Sequence, residues 1–410
     1  MAFELNKEQK VLLNILSASL SKNPESFTLN KEELDGVDWL AVAKESIHQA
    51  VCLISLEYAK PYLQYIPNEI HEKWKNYAFR IAGANAMVVQ SQVEMTEILG
   101  DKHPYVILKG SSACAYYPNE NLRALGDVDF LIDPKEKEEL TNLFVEKGYE
   151  LSCGDHPNHL VFKKPRAHLE MHFEVAGVPF GEKGKMVNEY LKDAVFTPVV
   201  KKHDFSEFNA PKDEYHALIL LLHMQHHLVS EGVGLRHLSD WGAFINCASE
   251  LPFWQEKLIP FLKSIGLFTF TAIITKTCAK YLGSVCPAWA KDVDDEVCDQ
   301  IIEDVLTGGN FGRKDGVRSK SGMLISEHGK GGTKRGKFYN LAHALHGHVL
   351  RTKCVKKCVV LYPFVYCFKA IKYICMIIVG KRPSITKMLP EAEKRKKIYD
   401  KLEIFETEGK

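Results

Sequence analysis

Two aspartates, Asp127 and Asp129, stand two positions apart within the apolar stretch 125–132. Side chains two residues apart in a β-strand point to the same face, so a strand here would hold the two carboxylates side by side. Like charges held that close repel, and each raises the pKa of the other. A divalent cation removes this cost, and Mg²⁺ prefers oxygen ligands together with substrate phosphates. The pair therefore predicts a metal site that acts on a phosphate-containing substrate.

The elements around this pair predict an α+β fold. Apolar stretches with a period of two predict strands at 105–108, 125–132, 149–153, 159–163 and 168–175, and helical patterns fall at 113–117 and 134–147. Alternation in the last strand places His168, Glu170 and His172 on one face and apolar residues on the other. Strands and helices in this order predict a mixed sheet with helices, flanked by helical regions at both ends of the chain.

The pattern resembles the polymerase-beta-like nucleotidyltransferase superfamily. The stretch from about 100 to 250 resembles one branch of it, the uncharacterised bacterial nucleotidyltransferase-like family. The matching residues are Lys109, Gly110, Tyr117, Pro118, Arg123, Asp127, Asp129, Glu170, His172 and the string LRHLSDW at 235–241. One departure is the third acid, which is Glu170 where the branch usually has aspartate.

The resemblance implies transfer of a nucleotide from an NTP to a hydroxyl group, with Mg²⁺ or Mn²⁺ as cofactor. Two metal ions about 3.5–4 Å apart can hold the attacking and leaving oxygens of such a displacement. Asp127 and Asp129 would bridge the metals, and Glu170 would complete the site and take the proton of the acceptor. The acceptor is a small molecule, a sugar, a protein or RNA, and the sequence does not distinguish these.

The turn Lys109-Gly110-Ser111-Ser112 is the expected phosphate cradle. Gly110 lets the backbone approach the phosphates, and Ser111 and Ser112 offer hydroxyl and N–H donors at the start of a helix. Lys109 and Arg123 are the candidates for neutralising the triphosphate, and arginine has the better bidentate geometry.

Two other interpretations stay open. The motif Asp-x-Asp alone is weak evidence for a metal site. Asp292 and Asp294 repeat it in this chain without a neighbouring strand or Gly-Ser turn. The acidic strand could face solvent, or the chain could be a catalytically inactive copy that binds a nucleotide or a partner. Retention of all three acids favours the enzyme, because clustered carboxylates are unfavourable without a metal.

A helix that begins near Pro211 carries His216, His223 and His227 on one face. Histidines four residues apart can bind zinc, but Met224 stands where a zinc protease has glutamate. We therefore favour a role for these histidines in lining or packing against the cleft.

Arg236 and Asp240 follow at i,i+4, a spacing that usually gives an ion pair on a helix surface. In the family context the two could instead face the cleft and hold the acceptor or the base.

Composition excludes some classes of protein. The 410 residues have a net charge of +1, so the chain has no overall bias towards nucleic acid or acidic membranes. The 11 cysteines form no CxxC pair, and the first residues lack the pattern of a secretory signal, so we expect a cytoplasmic protein with free thiols.

The predicted division is an N-terminal helical region at 1–100, a nucleotidyltransferase core at 101–205, a helical domain at 206–307, a Gly-rich basic loop at 308–340 and a C-terminal helical region at 341–410. The basic loop is expected to be solvated; a lid over triphosphate or RNA is the alternative, and no aromatic pattern supports nucleic-acid binding. For the apolar stretch 359–379, which contains Lys369 and Lys372, we favour an amphipathic helix packed on the body over peripheral membrane contact.

Overall fold

The computed structural model describes residues 3–153, 156, 158–203, 206–315, 317, 346, 349, 358–379 and 384–405. Its helices, numbered in chain order within these residues, are α1 (Lys7–Leu20), α2 (Lys31–Leu34), α3 (Trp39–His48), α4 (Cys52–Tyr58), α5 (Asn68–Leu99), α6 (Ser111–Cys114), α7 (Lys137–Glu146), α8 (Glu182–Leu191), α9 (Asp213–Val229), α10 (Leu235–Ala248), α11 (Ile259–Ile265), α12 (Phe268–Leu282), α13 (Asp295–Gly308), α14 (Tyr362–Ile378) and α15 (Ile385–Leu402). The strands are β1 (Tyr105–Ile107), β2 (Val128–Ile132), β3 (Glu150–Cys153), β4 (His159–Lys164), β5 (Ala167–His172), β6 (Val199–His203) and β7 (Ser206–Ala210).

Five strands form one mixed sheet in the order β1-β2-β5-β4-β3, and β6 and β7 form a separate hairpin. Strand β2 runs parallel to β5, and the other neighbouring strands of the large sheet are antiparallel. The α+β class predicted from the sequence is confirmed. The register of the parallel pair sets Asp129 of β2 beside Glu170 of β5.

The two faces of the sheet have different surroundings. Val128, Phe130 and Ile132 point into a compact core that also contains Leu140 and Phe144 of α7. Leu131, two residues after Asp129, belongs instead to the larger helical core. Since side chains alternate along a strand, Asp129 shares the face that looks towards the helices.

The larger core unites helices from both ends of the chain. Helix α1 packs against α3, α4, α10 and α12, and the buried side chains of α9 to α13 and α15 belong to the same cluster. The predicted N-terminal and central helical regions therefore share one core within the described residues. The domain boundaries stay a prediction.

Helix α5 is the longest described helix, with 32 residues, or about 48 Å at 1.5 Å per residue. Trp74 and Ala78 in its first half belong to the helical core, whereas Met95 and Leu99 in its last turns belong to the core of the sheet. This single helix therefore connects the helical core to the core of the sheet.

The basic loop at 308–340 lies mostly outside the described residues. Arg318, Lys320, Lys330, Lys334, Arg335 and Lys337 fall there, so the predictions made for them concern residues that the structure does not describe. Arg313 and Lys314 are described, and Lys314 Nζ donates to Glu45 and to the carbonyl of Leu306.

Within the described part of the chain, no single helix is long and apolar enough to cross a membrane. The bent pair Trp254–Ile265 and Phe268–Leu282 meets the same test by length and composition only.

Candidate active site

The three predicted acids converge where β2 and β5 lie side by side. Asp129 and Glu170 are register partners, and Asp127 immediately precedes β2. Ligand atoms of Asp127, His168 and Glu170 all lie within 4.8 Å of one another. The order of strands thus brings together carboxylates more than forty positions apart in the chain.

The two aspartates have opposite electrostatic environments. Burial works against a charge on Asp129, but Lys109 Nζ at 3.1 Å and His172 Nε2 at 3.0 Å outweigh it and hold the pKa of Asp129 well below its usual range. Repulsion from Asp129, together with burial, raises the pKa of Asp127 to about 7. Of the two aspartates, Asp127 is therefore the one whose negative charge is unfavourable without a bound cation.

Three histidines surround the Glu170 carboxylate. Its Oε2 is 3.6 Å from His172 Nε2 and 3.8 Å from His159 Nε2, and its Oε1 is 3.8 Å from His168 Nε2. Burial disfavours its charge, but the interaction with the neighbouring His172 imidazole prevails and lowers the pKa of Glu170. His159, Glu170 and His172 form a second set whose ligand atoms lie within 4.8 Å. Only Glu170 of this set lines the cavity of about 490 Å³ that also contains Asp127 and Asp129.

The Gly-Ser turn is built differently from the expected cradle. Gly110 has φ +55°, a conformation that favours glycine, and it lines the cavity beside Lys109. The Ser111 hydroxyl donates to Gln92 Oε1 at 2.7 Å, and the Ser112 hydroxyl donates to the carbonyl of Ile107 at 2.6 Å. Both serines are buried, so their hydroxyls anchor the turn instead of pointing to a phosphate.

Arg123 makes a bidentate ion pair with Asp240. Its Nε and Nη2 donate to the two carboxylate oxygens at 2.7 Å each, and Nη1 donates to the carbonyl of Ala124. The Tyr117 hydroxyl donates to the same carboxylate at 2.7 Å. These contacts occupy the guanidinium that the sequence analysis assigned to the triphosphate.

The expected surface ion pair between Arg236 and Asp240 does not form among the described contacts, and that interpretation was wrong. Asp240 is buried and bound to Arg123. Arg236 lines the cavity, with its guanidinium 5.5 Å from the centre of the Phe311 ring. Its Nε is buried and has no hydrogen-bond partner in the described structure. A partly buried guanidinium that makes no ion pair with a carboxylate among the described residues is available to bind an anion.

Three histidine rings stand around Arg236. His223, His227 and His237 lie with ring centres 4.3–5.8 Å apart, and His223 Nδ1 is 3.4 Å from Lys109 Nζ. Burial lowers the pKa of all three, and neighbouring cations lower it further. They are neutral in this state, and each can donate or accept a hydrogen bond.

His216 belongs elsewhere. It is fully buried, stacks on Tyr116 with ring centres 5.0 Å apart, and burial lowers its pKa to about 3. No candidate metal-ligand group among the described residues contains His216, His223 or His227.

A cavity of about 490 Å³ connects these groups. Its volume falls in the range of about 300–1,000 Å³ usual for ligand pockets. The three acids and His168 line it together with basic and imidazole groups, namely Lys109, Arg236, Arg313, His223, His227 and His237. The remaining wall is largely apolar and is made by Ile47, Ala50, Tyr77, Ile81, Ala84, Leu125, Leu220, Met224 and Phe311. The charge distribution suits a ligand that combines an apolar or aromatic part with anionic groups.

Much of this wall was missed by the sequence analysis. Helical periodicity indicates that Tyr77 and Ile81 are partly buried, but not that they border a cavity. Ala50 and Phe311 both have φ +56°, which is rare for residues other than glycine. This backbone conformation had no sequence signal, yet it occurs at two places in the cavity wall.

Helix α5 holds the loops of the site in place. Asn85 Nδ2 donates to the carbonyl of Arg123, and Asn85 Oδ1 accepts from the amide of Leu125. Gln92, seven residues later, accepts from Ser111. One face of this helix thus positions both the turn at Gly110 and the loop that leads to Asp127.

A protein-family model described as "Uncharacterised nucleotidyltransferase" matches residues 35–283, more than half of the chain. No curated protein and no solved structure matches. The matched stretch includes the three acids, the turn at Gly110 and the Arg123–Asp240 pair, and it ends before Asn310 and Phe311.

Proposed function

The chain belongs to the uncharacterised nucleotidyltransferase family, and we propose that it uses Mg²⁺ or Mn²⁺ to transfer a nucleoside monophosphate from an NTP to a hydroxyl acceptor. The observation that carries the proposal is the convergence of Asp127, Asp129 and Glu170 in one cavity that Lys109 and Arg236 also line. Carboxylates are suitable ligands for a divalent cation, and the basic side chains are suitable partners for the triphosphate.

The donor set fits a hard divalent cation. Oxygen ligands from carboxylates are those that Mg²⁺ and Mn²⁺ favour. The raised pKa of Asp127 reports repulsion that a bound cation would relieve. When bound by Asp127, Asp129 and Glu170, the cation would offset negative charge that develops on the reacting phosphate.

The protein's own side chains would supply the other functions. Arg236 offers donors to the anionic part of the substrate, and Lys109, 18% exposed in its side chain, can reach the same space. Glu170, whose lowered pKa keeps it ionised, would accept the proton of the acceptor hydroxyl directly or through water. Tyr77, Ile81 and Phe311 offer apolar surface for a base or a sugar. Arg123 would act by positioning, through Asp240.

A catalytically inactive nucleotide-binding protein is the second candidate. The observation in its favour is that Lys109 and His172 already neutralise Asp129 without a metal. Because these two groups offset the buried charge of Asp129, the folded protein does not need a bound cation for stability.

Thermal unfolding with NTPs separates the possibilities. An NTP at one hundred times its Kd stabilises the folded protein by about 2.7 kcal/mol. We expect wild type to gain most of this only with Mg²⁺, and Asp127→Asn to lose the metal-dependent part. Arg236→Gln should weaken stabilisation by every NTP, whereas Arg166→Gln, an exposed arginine at the β4–β5 turn, should not.

Equal stabilisation of wild type and Asp127→Asn by NTP and Mg²⁺ would exclude the proposed site. Stabilisation in both metal conditions, with no pyrophosphate released over a range of acceptors, would instead support the inactive nucleotide-binding protein.

The pH dependence of metal binding gives a separate prediction. Because repulsion from Asp129 and burial raise the pKa of Asp127 to about 7, this carboxyl is neutral below that pH and must lose its proton when a cation binds. The affinity for Mn²⁺ should rise about tenfold per pH unit up to about pH 7 and level off above it. Calorimetry in buffers of different ionisation enthalpy should detect about one released proton at pH 6 and almost none at pH 8. Asp127→Asn should remove this difference.

A further inference from the structure

Helix α14 exposes an apolar face. Phe364, Phe368, Ile371 and Ile378 have 71%, 65%, 60% and 77% of their surface exposed. Their spacing of three, four and seven residues places them on one side of the helix. No residue of 358–379 belongs to either hydrophobic core of the described structure, so the expectation that this helix packs on the body was wrong. A contiguous apolar surface of this kind marks an interaction site.

The chain around this helix is strongly basic. Between residues 351 and 389 the sequence has nine lysines and arginines and no aspartate or glutamate. The cations are Arg351, Lys353, Lys356, Lys357, Lys369, Lys372, Lys381, Arg382 and Lys387. The net charge of +1 for the whole protein therefore hides a local excess of positive charge.

We propose that α14 docks the protein on the surface of an anionic lipid bilayer, with the helix in the plane of the membrane. An exposed apolar face combined with neighbouring lysines and arginines is the pattern of interfacial helices. Clustered cations beside such a helix are attracted to anionic headgroups. The partner is thus a lipid surface, and the contact is peripheral.

Length and charge placement favour this orientation over a span. Seventeen residues at 1.5 Å each give about 26 Å, shorter than a hydrocarbon core of about 30 Å. Lys372 follows Phe368 by four positions and so stands at one edge of the apolar face. From there its long side chain can reach the headgroups while its methylenes stay in contact with apolar surface. Tyr362, Tyr366 and Tyr373 add side chains that are enriched at membrane interfaces.

A second copy of the chain is a poorer partner for this face. Two copies joined there would bring two basic stretches together with no acidic residue between 351 and 389 in either copy to pair with them. Like charges placed together oppose association. An anionic bilayer supplies both the apolar layer and the opposite charge.

Flotation of the full-length protein with vesicles tests the proposal. We expect binding to phosphatidylcholine vesicles that contain phosphatidylserine, at least tenfold weaker binding to phosphatidylcholine alone, and weakening at high salt. The triple variant Phe364→Ser/Phe368→Ser/Ile371→Ser should lose at least tenfold in binding with an unchanged melting temperature, because these side chains are exposed. The control Phe180→Ser/Phe196→Ser removes two equally exposed aromatic residues elsewhere and should bind like wild type.

Failure of wild type to float with anionic vesicles would overturn the proposal, as would equal binding by the triple variant or equal loss in the control. Light scattering adds a further test. A concentration-dependent dimer that the triple variant abolishes, without vesicle binding by wild type, would assign the face to a second copy instead. None of these results depends on nucleotide transfer, so the proposed function stands or falls separately.

Discussion

Replacement of Asp129 by asparagine is expected to lower the rate of nucleotide transfer by about 10³-fold or more. Removal of a single preorganised group that stabilises a developing charge costs about 10²–10³ in rate, and loss of a carboxylate from the proposed cation site should cost at least as much. Asparagine keeps the shape of the side chain and one oxygen that can accept from Lys109 or His172. The Lys109 side chain is 18% exposed and His172 can lose its proton, so neither is left as a buried unpaired charge, and we expect a folded protein with little turnover.

The measurement is pyrophosphate release from each NTP with host-cell extract as the source of acceptor, followed by identification of the modified molecule by mass spectrometry. Asp292→Asn is the matched control, because Asp292 is the exposed first acid of the other Asp-x-Asp sequence and lies outside the cavity lining. It should retain full activity. A rate within threefold of wild type for Asp129→Asn would show that the Asp129 carboxylate takes no part in the reaction.

Asp240→Asn is expected to reduce the free energy of unfolding by about 3–5 kcal/mol, the usual effect of breaking a buried ion pair by removing one partner. Arg123 and Asp240 are 6% exposed each, so the guanidinium would stay buried without its counter-charge. The Tyr117 hydroxyl would lose a charged acceptor at the same time. Urea unfolding with linear extrapolation measures the change.

Asp299→Asn provides the comparison for this variant. Asp299 pairs with Lys280 near the surface, where solvent and salt weaken ion pairs, so its replacement should change stability far less. If the two variants unfolded at the same urea concentration, the Arg123–Asp240 pair would not be the structural link described here. A stable Asp240→Asn variant with a lowered transfer rate would instead assign Asp240 to the substrate.

The acids and α5 could be predicted because local rules fix them. A period of two with apolar neighbours indicates which face of a strand a carboxylate occupies, and the order of elements placed Glu170 on a later strand. The pattern of α5 is equally local: Pro67 precedes its first residue and Gly100, with φ +53°, follows its last. Such signals need no knowledge of the tertiary partner.

The partners of the two arginines in the cavity wall could not be predicted, because the ion pair that forms is long-range. The i,i+4 spacing assigned Asp240 to Arg236, whereas Asp240 binds Arg123, 117 positions away. A buried bidentate pair is stronger than an exposed pair along one helix, so the tertiary partner prevails. Arg123 is therefore held by Asp240, while Arg236 lines the cavity without such a partner among the described contacts. The hydrogen bond of the Ser111 hydroxyl was unpredictable for the same reason, because its acceptor Gln92 lies nineteen positions away in the chain.

The apolar stretch at the C-terminus illustrates another limit. Hydrophobicity indicates that a surface avoids water but does not specify whether protein or lipid covers it. The sequence analysis chose the body of the protein, and the exposure of Phe364 and Ile378 contradicts that choice.

The continuous helix α5 contacts both cores of the protein, so we expect its length to tolerate little change. Each residue turns an α-helix by about 100°, so deletion of one residue between Ala78 and Asn85 would rotate the second half of the helix by that angle relative to the first. If Trp74 stayed in the helical core, Asn85 and Gln92 would then lose their hydrogen bonds to Leu125 and Ser111. We expect relatives to accept substitutions along the outer side of this helix and to reject single insertions and deletions within it.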